Sequence, residues 1–252
     1  MAAVVTHPSR IPGPALVTGA GREREIGTAI CRALAAAGHA VAFTVPPGGD
    51  GGDGGALAAE LDAAAIEIDL ADPDAPGALL DAATERLGAL PSVLVNNAAV
   101  SVNGGYAQLD AATLDAHYAV NVRAPALLSC ELARRHTPGE PGRIVCLTSG
   151  QSLGPMLGEL PYATTKAALE MFVRQLAPEA MALGITVNAV NPGVTDTGWV
   201  TDAIRAEVLP RMPAGRIGEG EDAARLIGWL CSADAAWVTG QVIGSEGGFI
   251  RR

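Results

Sequence analysis

The segment ALVTGAGREREIG, residues 15–27, decides the fold. Its first four residues predict a short buried strand, the glycines from Gly19 predict a tight turn, and a helix is expected to start near Gly27. Such a turn lets the backbone approach a pyrophosphate closely, while the N–H groups of a helix N-terminus favour negative charge. The segment therefore predicts a nucleotide phosphate site, although an ordinary turn between a strand and a helix also uses glycines.

Outward from this segment, short apolar runs alternate with longer helical patterns along the chain. Several runs are apolar throughout, as expected for strands of a parallel sheet that is covered on both faces. Together with the first strand they predict an α/β domain whose seven-stranded parallel sheet is doubly wound and flanked by helices. The six further predicted strands are AVAFTV (40–45), AIEI (65–68), SVLV (92–95), RIVCLT (143–148), TVNAV (186–190) and QVIG (241–244).

The remaining segments set the domain bounds. We predict a flexible N-terminal tail over residues 1–12 and a single domain over residues 13–252. The stretch PPGGDGGDGG (46–55) predicts a surface loop between the second strand and a short helix. Helical patterns at 110–136 and 161–183 carry many apolar positions, so we expect parts of their faces to pack against another subunit.

Composition excludes several classes of protein. The 252 residues are 49% hydrophobic with a net charge of −10, which argues against a nucleic acid or an anionic membrane as partner. The four cysteines, Cys31, Cys130, Cys146 and Cys231, form no CxxC pair and no cluster with histidine. We therefore predict buried, reduced thiols in a cytoplasmic protein, and no metal site. No apolar run reaches the roughly 18–20 residues that a membrane helix requires.

Six further motifs follow in order along the chain. They are Asp69 after the third strand, NNAA (96–99) after the fourth, Asn121 in the first long helix, Ser149 after the fifth strand, YATTK (162–166) and NPGVTDTG (191–198). With the glycine-rich turn, this series resembles the short-chain dehydrogenase/reductase family, in the subtype related to 3-oxoacyl-carrier-protein reductases. The resemblance covers about residues 14–249. It implies a Rossmann-type fold and an NAD(P)(H)-dependent oxidoreductase that interconverts a ketone and a secondary alcohol.

The resemblance also implies which residues contact the dinucleotide. Phosphate-loop glycines correspond to Gly19 and Gly27, the adenine contact to Asp69 and Leu70, and the turn on the adenosine side to Asn96. The loop that holds the nicotinamide carboxamide corresponds to Pro192, Gly193, Thr195 and Thr197. The predicted set is completed by Gly21, Arg22, Arg24, Ile26, Thr44, Ala98, Tyr162 and Lys166.

One position departs from the family pattern. The usual phosphate loop TGxxxGxG is two residues longer here, and Glu25 replaces its middle glycine. A carboxylate beside a pyrophosphate is repelled unless it turns outward or pairs with Arg22 or Arg24. The sequence therefore leaves the local geometry of the cofactor open.

Tyr162 and Lys166 are four residues apart in a helical segment, which places the phenol and the ammonium on one face. A carbonyl that accepts a hydride becomes an alkoxide and needs a proton, and a phenol donates one more readily beside a cation. The resemblance implies that Tyr162 is the acid/base and that Lys166 also holds the nicotinamide ribose. It further implies that Ser149 binds the substrate carbonyl and that Asn121 anchors a water in a proton relay. We expect His117, on the same helix as Asn121, to lie at a surface or interface.

The substrate side is expected to be lined by residues that flank the serine and the loop after the sixth strand. They are Gln151, Pro155, Met156, Leu157 and Trp199. Their mixed character fits a small-molecule or acyl-thioester carbonyl compound.

Two alternative functions stay open. Enoyl reductases of this fold share the longer phosphate loop, TGxxxxxSIA, with Glu25 at the serine position, but they separate tyrosine and lysine by six residues rather than three. A non-catalytic nucleotide-binding protein is supported only by Glu25.

The end of the second strand bears on cofactor choice. Enzymes of this fold that prefer NAD place an acid there, which repels a 2′-phosphate. Thr44 occupies that place and the next acid is Asp50, while Arg22 or Arg24 could form a bidentate pair with the phosphate. We therefore predict that NADP(H) is preferred over NAD(H), unless both arginines neutralise Glu23 and Glu25.

The resemblance also implies an assembly. Related enzymes pair the two long helices between subunits, which predicts a homotetramer, with a dimer as the second choice.

Overall fold

The structure, a computed structural model, describes residues 11–48 and 54–250. All seven predicted strands are present, each within one residue of its expected bounds: β1 Ala15–Thr18, β2 Val41–Val45, β3 Ala64–Glu67, β4 Val93–Asn96, β5 Gly142–Leu147, β6 Ile185–Asn191 and β7 Val242–Gly244. They form one parallel sheet in the order β3-β2-β1-β4-β5-β6-β7. The predicted single-domain, doubly wound α/β fold is confirmed.

The described part of the chain contains eight α-helices, most of which pack on the two faces of the sheet. They are α1 Ile26–Ala36, α2 Gly55–Leu61, α3 Ala75–Leu87, α4 Ala111–Tyr118, α5 Ala124–Arg135, α6 Leu160–Met181, α7 Asp202–Val208 and α8 Gly220–Leu230. Each strand sends alternate side chains to two separate cores, so that Val17 packs on the side of α1 and α8 while Leu16 packs on the side of α3, α5 and α6. The central strands are mainly apolar because both of their faces are buried.

The strand order places a functional crevice at a defined edge of the sheet. The chain runs outward from β1 to β3, then crosses back so that β4 pairs with the other side of β1. At such a reversal the loops after neighbouring strands separate and leave a crevice at their carboxyl ends. The glycine-rich turn follows β1 and the NNAA motif ends β4, so both open into this crevice.

The first long helix predicted from the sequence is interrupted by a π-turn. Between α4 and α5, residues Ala119–Arg123 adopt π-helical hydrogen bonding without breaking the helical path. Pro125 supplies a local reason, because it has no N–H to donate to the carbonyl of Asn121 four residues earlier. The wider turn places Asn121 on the side of α6, where its amide donates to Thr165.

Several other expectations concern the chain ends and the cysteines. Residues 1–10 of the predicted tail and Asp50 of the predicted loop lie outside the described residues. Ile11 is only 2% exposed and packs in the core, although it lies within the range expected to be a tail. Three cysteines are buried as predicted, whereas Cys130 is half-buried. In the ranges 11–48 and 54–250, no helix has the length and apolarity to cross a membrane.

Candidate active site

A cavity of about 470 Å³ lies at the carboxyl ends of β1 to β4. Eight of the residues predicted to contact a dinucleotide line it: Gly19, Arg22, Ile26, Thr44, Asp69, Leu70, Ala98 and Thr197. Its wall also contains Glu25 and residues that sequence reasoning missed, namely Ala20, Pro46, Ile68, Asn97, Ala99, Val100 and Val120. Most of the missed residues are sequence neighbours of predicted ones, so the motif positions could have been extended to find them.

The glycine-rich turn is held in a shape that fits a pyrophosphate. Gly19 has a φ of +73°, and its N–H donates to the Thr44 hydroxyl at 2.9 Å. A Cβ on Gly27 would lie 1.9 Å from the Gly19 carbonyl oxygen, so only glycine allows the helix to start this close to the turn. Among the described side chains, none caps the N-terminus of α1, which leaves the N–H groups of its first turn for an anionic ligand.

The four charged residues of the extended phosphate loop, residues 22–25, face different surroundings. Arg22 and Glu25 line the cavity. Glu23 turns away and pairs with Arg32 of α1 at 2.9 Å, and this guanidinium lowers the pKa of the Glu23 carboxyl. Arg24 pairs with Asp196 at 2.8 Å. Of the two arginines, Arg22 is therefore the one placed to bind a phosphate. The alternative was that both arginines neutralise Glu23 and Glu25, and of those ion pairs only Arg22 with Glu25 is observed.

The loop after β6 is organised around the same Asp196 carboxylate. Asp196 accepts from Gly198 N–H and pairs with Arg205 as well as Arg24, and these contacts lower the pKa of its carboxyl. Of the four residues predicted to hold the carboxamide, only Thr197 lines the cavity. Pro192, Gly193 and Thr195 shape the loop, because Thr195 donates to the Pro192 carbonyl and Gly193 N–H donates to Asn191.

Asn96 lies in the core rather than in the cavity. Its amide donates to the Ser129 hydroxyl at 3.0 Å, and its side chain is buried. The next residue, Asn97, lines the cavity and donates to the carbonyls of Thr18 and Gly19. The cofactor contact at Asn96 stays a prediction for its backbone, and Asn97 is the polar side chain of the motif that supports the phosphate loop.

Three of the four predicted catalytic residues come together at the start of α6. Tyr162 and Lys166 lie one turn apart, with the Lys166 Nζ 5.5 Å from the centre of the Tyr162 ring. Lys166 is 2% exposed and donates to the Leu147 carbonyl at 2.8 Å. Ser149 lies two residues after β5, and its hydroxyl is close enough to the Tyr162 phenol to oppose the rise in the phenol's pKa. The sheet edge and the helix thus bring a hydroxyl, a phenol and an ammonium into one place.

Burial sets the protonation states of this group. Burial, helped by the nearby charge of Glu159 and opposed by Ser149, raises the pKa of Tyr162 to about 12. Burial also lowers the pKa of Lys166 to about 8. At neutral pH the phenol therefore holds its proton beside a charged lysine, which is the arrangement of a proton donor. Glu159, which sequence reasoning missed, is itself a carboxyl whose pKa is raised by burial.

Asn121 and His117 both hold the loop that follows β4. Asn121 accepts from Val100 N–H at 2.7 Å, and its amide donates to the Val100 carbonyl and to Thr165. His117 is fully buried, not on a surface as expected, and its Nε2 accepts from Val102 N–H at 3.1 Å. The side chain of Asn121 thus joins the loop after β4 to α6. Any water of the predicted proton relay would then be held by the backbone of Asn121.

The predicted substrate residues are divided between two environments. Met156 accepts a hydrogen bond from Ser149 at 3.7 Å, so its thioether borders the catalytic group. Gln151 instead donates to Glu170 of α6, and the indole of Trp199 donates to the Thr195 carbonyl while half of its surface is exposed. Pro155 and Leu157 are exposed. Met156 is therefore the member of this set with the closest contact to the candidate catalytic residues.

Comparison with known proteins places this arrangement in a family. Residues 19–250 match the family model described as enoyl-(acyl carrier protein) reductase. The uncharacterized oxidoreductase YjdA of Bacillus subtilis is 49% identical over 243 residues, which are 94% of this chain and 96% of that protein. The chain belongs to the short-chain dehydrogenase/reductase family.

Two further relatives carry more descriptive names. The 3-oxoacyl-[acyl-carrier-protein] reductase of Pseudomonas aeruginosa is 34% identical, with 93% of this chain and 96% of that protein covered. A solved short-chain dehydrogenase from Burkholderia cenocepacia in complex with NADP is 34% identical, with a TM-score of 0.86 over 95% of this chain and 98% of that one. The protein is therefore similar to oxidoreductases for which a nicotinamide dinucleotide complex is known.

Proposed function

We propose that this protein interconverts a ketone and a secondary alcohol, with Tyr162 as the acid/base and NADP(H) as the preferred cofactor. The observation that carries the proposal is the grouping of Tyr162, Lys166 and Ser149 at the end of β5. A phenol that keeps its proton at neutral pH beside a buried ammonium suits reduction of a carbonyl better than any other chemistry of this group.

Each residue has a separate role in the proposed reaction. The Ser149 hydroxyl donates a hydrogen bond to the substrate carbonyl oxygen and polarises it. The bound dinucleotide supplies a hydride to the carbonyl carbon in reduction and accepts one in oxidation. Tyr162 donates its phenolic proton to the oxygen that becomes negative, and the charge of Lys166 stabilises the phenolate left behind. Asn121 keeps the loop after β4 and helix α6 in register around the substrate.

The preference for NADP(H) is supported by the end of β2. Thr44 occupies the place where an acid would repel a 2′-phosphate, and Arg22 lines the same cavity. A guanidinium recognises a phosphate in a bidentate manner. A relative of the same family binds NADP in its crystal structure.

An enoyl reductase is the second candidate, because the matching family model carries that description. The spacing of Tyr162 and Lys166 argues against this candidate. Enoyl reductases of this fold separate the tyrosine and the lysine by six residues, whereas three residues separate them here. Both reactions consume a reduced dinucleotide, so the substrate decides between them.

The proposed setting of the enzyme is the cytoplasm, where it acts as a homotetramer on a small-molecule or acyl-thioester carbonyl compound. Its cysteines are free, which suits a reducing compartment.

The test is a panel of ketones, 3-oxoacyl thioesters and enoyl thioesters, with oxidation of NADPH as the readout. Tyr162→Phe keeps the ring and removes the proton donor, so turnover of the best ketone should fall by roughly 10²–10⁴-fold with little change in NADPH binding. Tyr118→Phe, an exposed tyrosine on α4, is the matched control and should keep full turnover.

Three results would contradict the proposal. Wild-type turnover by Tyr162→Phe would remove the acid/base role of that residue. Turnover of enoyl thioesters alone would select the second candidate, and dinucleotide binding without turnover of any compound would indicate a non-catalytic binding protein.

A further inference from the structure

The charged phosphate loop presents one acid to the cofactor cavity and turns the other away. Glu25 and Glu23 lie two residues apart, yet only Glu25 lines the cavity. Glu23 is exposed and pairs with Arg32 on the outer side of α1. The two carboxylates therefore contribute the same charge to the loop but face different surroundings.

Glu25 holds the groups of Arg22 that an anion would use. One carboxylate oxygen of Glu25 accepts from Arg22 N–H at 3.2 Å, and the other lies 3.8 Å from Arg22 Nε. A backbone N–H together with a guanidinium is the donor set that proteins use to bind phosphate. The carboxylate of Glu25 thus contacts the same donors of Arg22 that a phosphate oxygen would use.

The position of this pair identifies the phosphate with which it competes. Arg22 and Glu25 line the same cavity as Thr44 and Pro46 at the end of β2, and the end of the second strand is the place where this fold meets the adenosine ribose. The phosphate on that ribose is the 2′-phosphate of NADP(H), which NAD(H) lacks.

We propose that Glu25 is a built-in competitor for the 2′-phosphate and sets how strongly the protein discriminates between NADPH and NADH. The inference rests on the proposed NADP(H) preference. In the free protein Glu25 pairs with Arg22. When NADPH binds, the phosphate takes over Arg22 and the carboxylate turns away, which costs binding free energy because both groups are anions. NADH does not claim Arg22 and escapes most of this cost.

The experiment compares two variants that remove one negative charge from the same loop. Glu25→Gln keeps the size of the side chain and an oxygen that accepts from Arg22 N–H. Glu23→Gln makes the same change on the outward side and controls for the general field of the loop. Dissociation constants for NADPH, NADH and 2′,5′-ADP are measured by calorimetry, without any substrate.

We expect Glu25→Gln to bind NADPH and 2′,5′-ADP about tenfold more tightly than the wild type, with NADH changed less than about threefold. Glu23→Gln should leave all three constants within about twofold. Unchanged or weaker NADPH binding by Glu25→Gln would overturn the inference. An equal gain for NADPH and NADH would also overturn it, since Glu25 would then oppose the shared pyrophosphate, and so would the same gain in Glu23→Gln.

A third variant separates this inference from the proposed cofactor preference. Arg22→Ala should lose most of the advantage of NADPH over NADH. If the wild type itself binds NADH as tightly as NADPH but Glu25→Gln binds NADPH more tightly, the proposed preference fails while the competitor role stands. If neither dinucleotide binds to any variant, both fail.

Discussion

Lys166 combines a charge with almost complete burial. Its ammonium donates to the Leu147 carbonyl and lies against the Tyr162 ring, and burial lowers its pKa to about 8. A group whose pKa is lowered in this way is charged below that pH and neutral above it. The residue that tunes the proposed acid therefore loses its charge within the range in which enzymes are commonly assayed.

This titration predicts the pH dependence of the proposed reduction. Tyr162 donates its proton more easily when Lys166 is charged, so kcat for ketone reduction should be constant at neutral pH and fall as the pH rises through about 8. Oxidation should show the opposite trend, since it needs the phenolate, and the pKa of Tyr162 is raised to about 12. The measurement is kcat against pH in both directions, at saturating cofactor and substrate.

Lys166→Arg is the control for this assignment. A guanidinium stays charged throughout the range, so whatever activity remains in this variant should not fall near pH 8. A decline at the same pH in Lys166→Arg would show that another group titrates.

Asn96 and Asn97 show that neighbouring residues of one motif have different surroundings. The sequence predicts the fourth strand at 92–95, and the structure places it at Val93–Asn96. Successive side chains of a strand point to opposite sides, so Asn96 at the end of β4 and Asn97 after it meet different surroundings. The motif could be found from the sequence, but which of its two amides faces the cavity depends on contacts with Ser129 and with the turn after β1, which no local pattern reports.

The elements themselves were accessible from the sequence because apolar patterning decides them. The central strands are buried on both faces, and β3 and β7 form the edges of the sheet. The apolar run of a strand indicates this burial directly. The π-turn at Ala119–Arg123 and the direction of each charge in the phosphate loop depend on partners elsewhere in the chain. Arg24 and Asp196 are separated by 172 residues, and no local pattern predicts that pair.

The ion pair of Arg24 and Asp196 connects two elements across the cofactor cavity. Arg24 belongs to the phosphate loop, whose neighbours Arg22 and Glu25 line the cavity, and Asp196 precedes Thr197, which lines it from the other side. Asp196 is largely buried and also pairs with Arg205 of α7. A dinucleotide that enters or leaves between the two loops must pass this connection.

Asp196→Asn should therefore speed the release of NADPH. The amide still accepts from Gly198 N–H and keeps the loop turn, but it loses the attraction to the guanidinium of Arg24. We expect the dissociation rate constant to rise by about threefold to tenfold, as expected for the loss of one ion pair that is partly shielded from water. Stopped-flow displacement of NADPH, followed by its fluorescence, measures this rate.

Asp202→Asn is the matched control for that measurement, because Asp202 is an exposed acid in the first turn of α7. Its release rate should equal that of the wild type. An unchanged rate in Asp196→Asn, or an equal rise in Asp202→Asn, would show that the ion pair does not restrain the cofactor.

The described chain exposes large apolar side chains in several places, and two groups of them lie on different elements. Helices α4, α5 and α6 carry Leu114, Tyr118, Leu127 and Met171 at 38% to 56% exposure. Trp229 on α8 and Trp237 in the segment before β7 are exposed as well, and β7 forms an edge of the sheet. One such face would suit a dimer, whereas two independent faces suit the two interfaces of a tetramer with dihedral symmetry.

We therefore expect light scattering to give a homotetramer of about 100 kDa at micromolar concentration, from a chain of 25.5 kDa. Met171→Arg places a charge in the middle of the face on α6 and should reduce the assembly to dimers held by the other face, because an unpaired charge in an interface costs more than the apolar contact gains. Ala59→Arg adds the same charge to an exposed position of α2 and should leave the tetramer intact. A wild-type monomer would contradict the expectation altogether. A wild-type dimer that Met171→Arg leaves unchanged would show that the face on α4, α5 and α6 is open to solvent. Only the face near β7 would then be an interface.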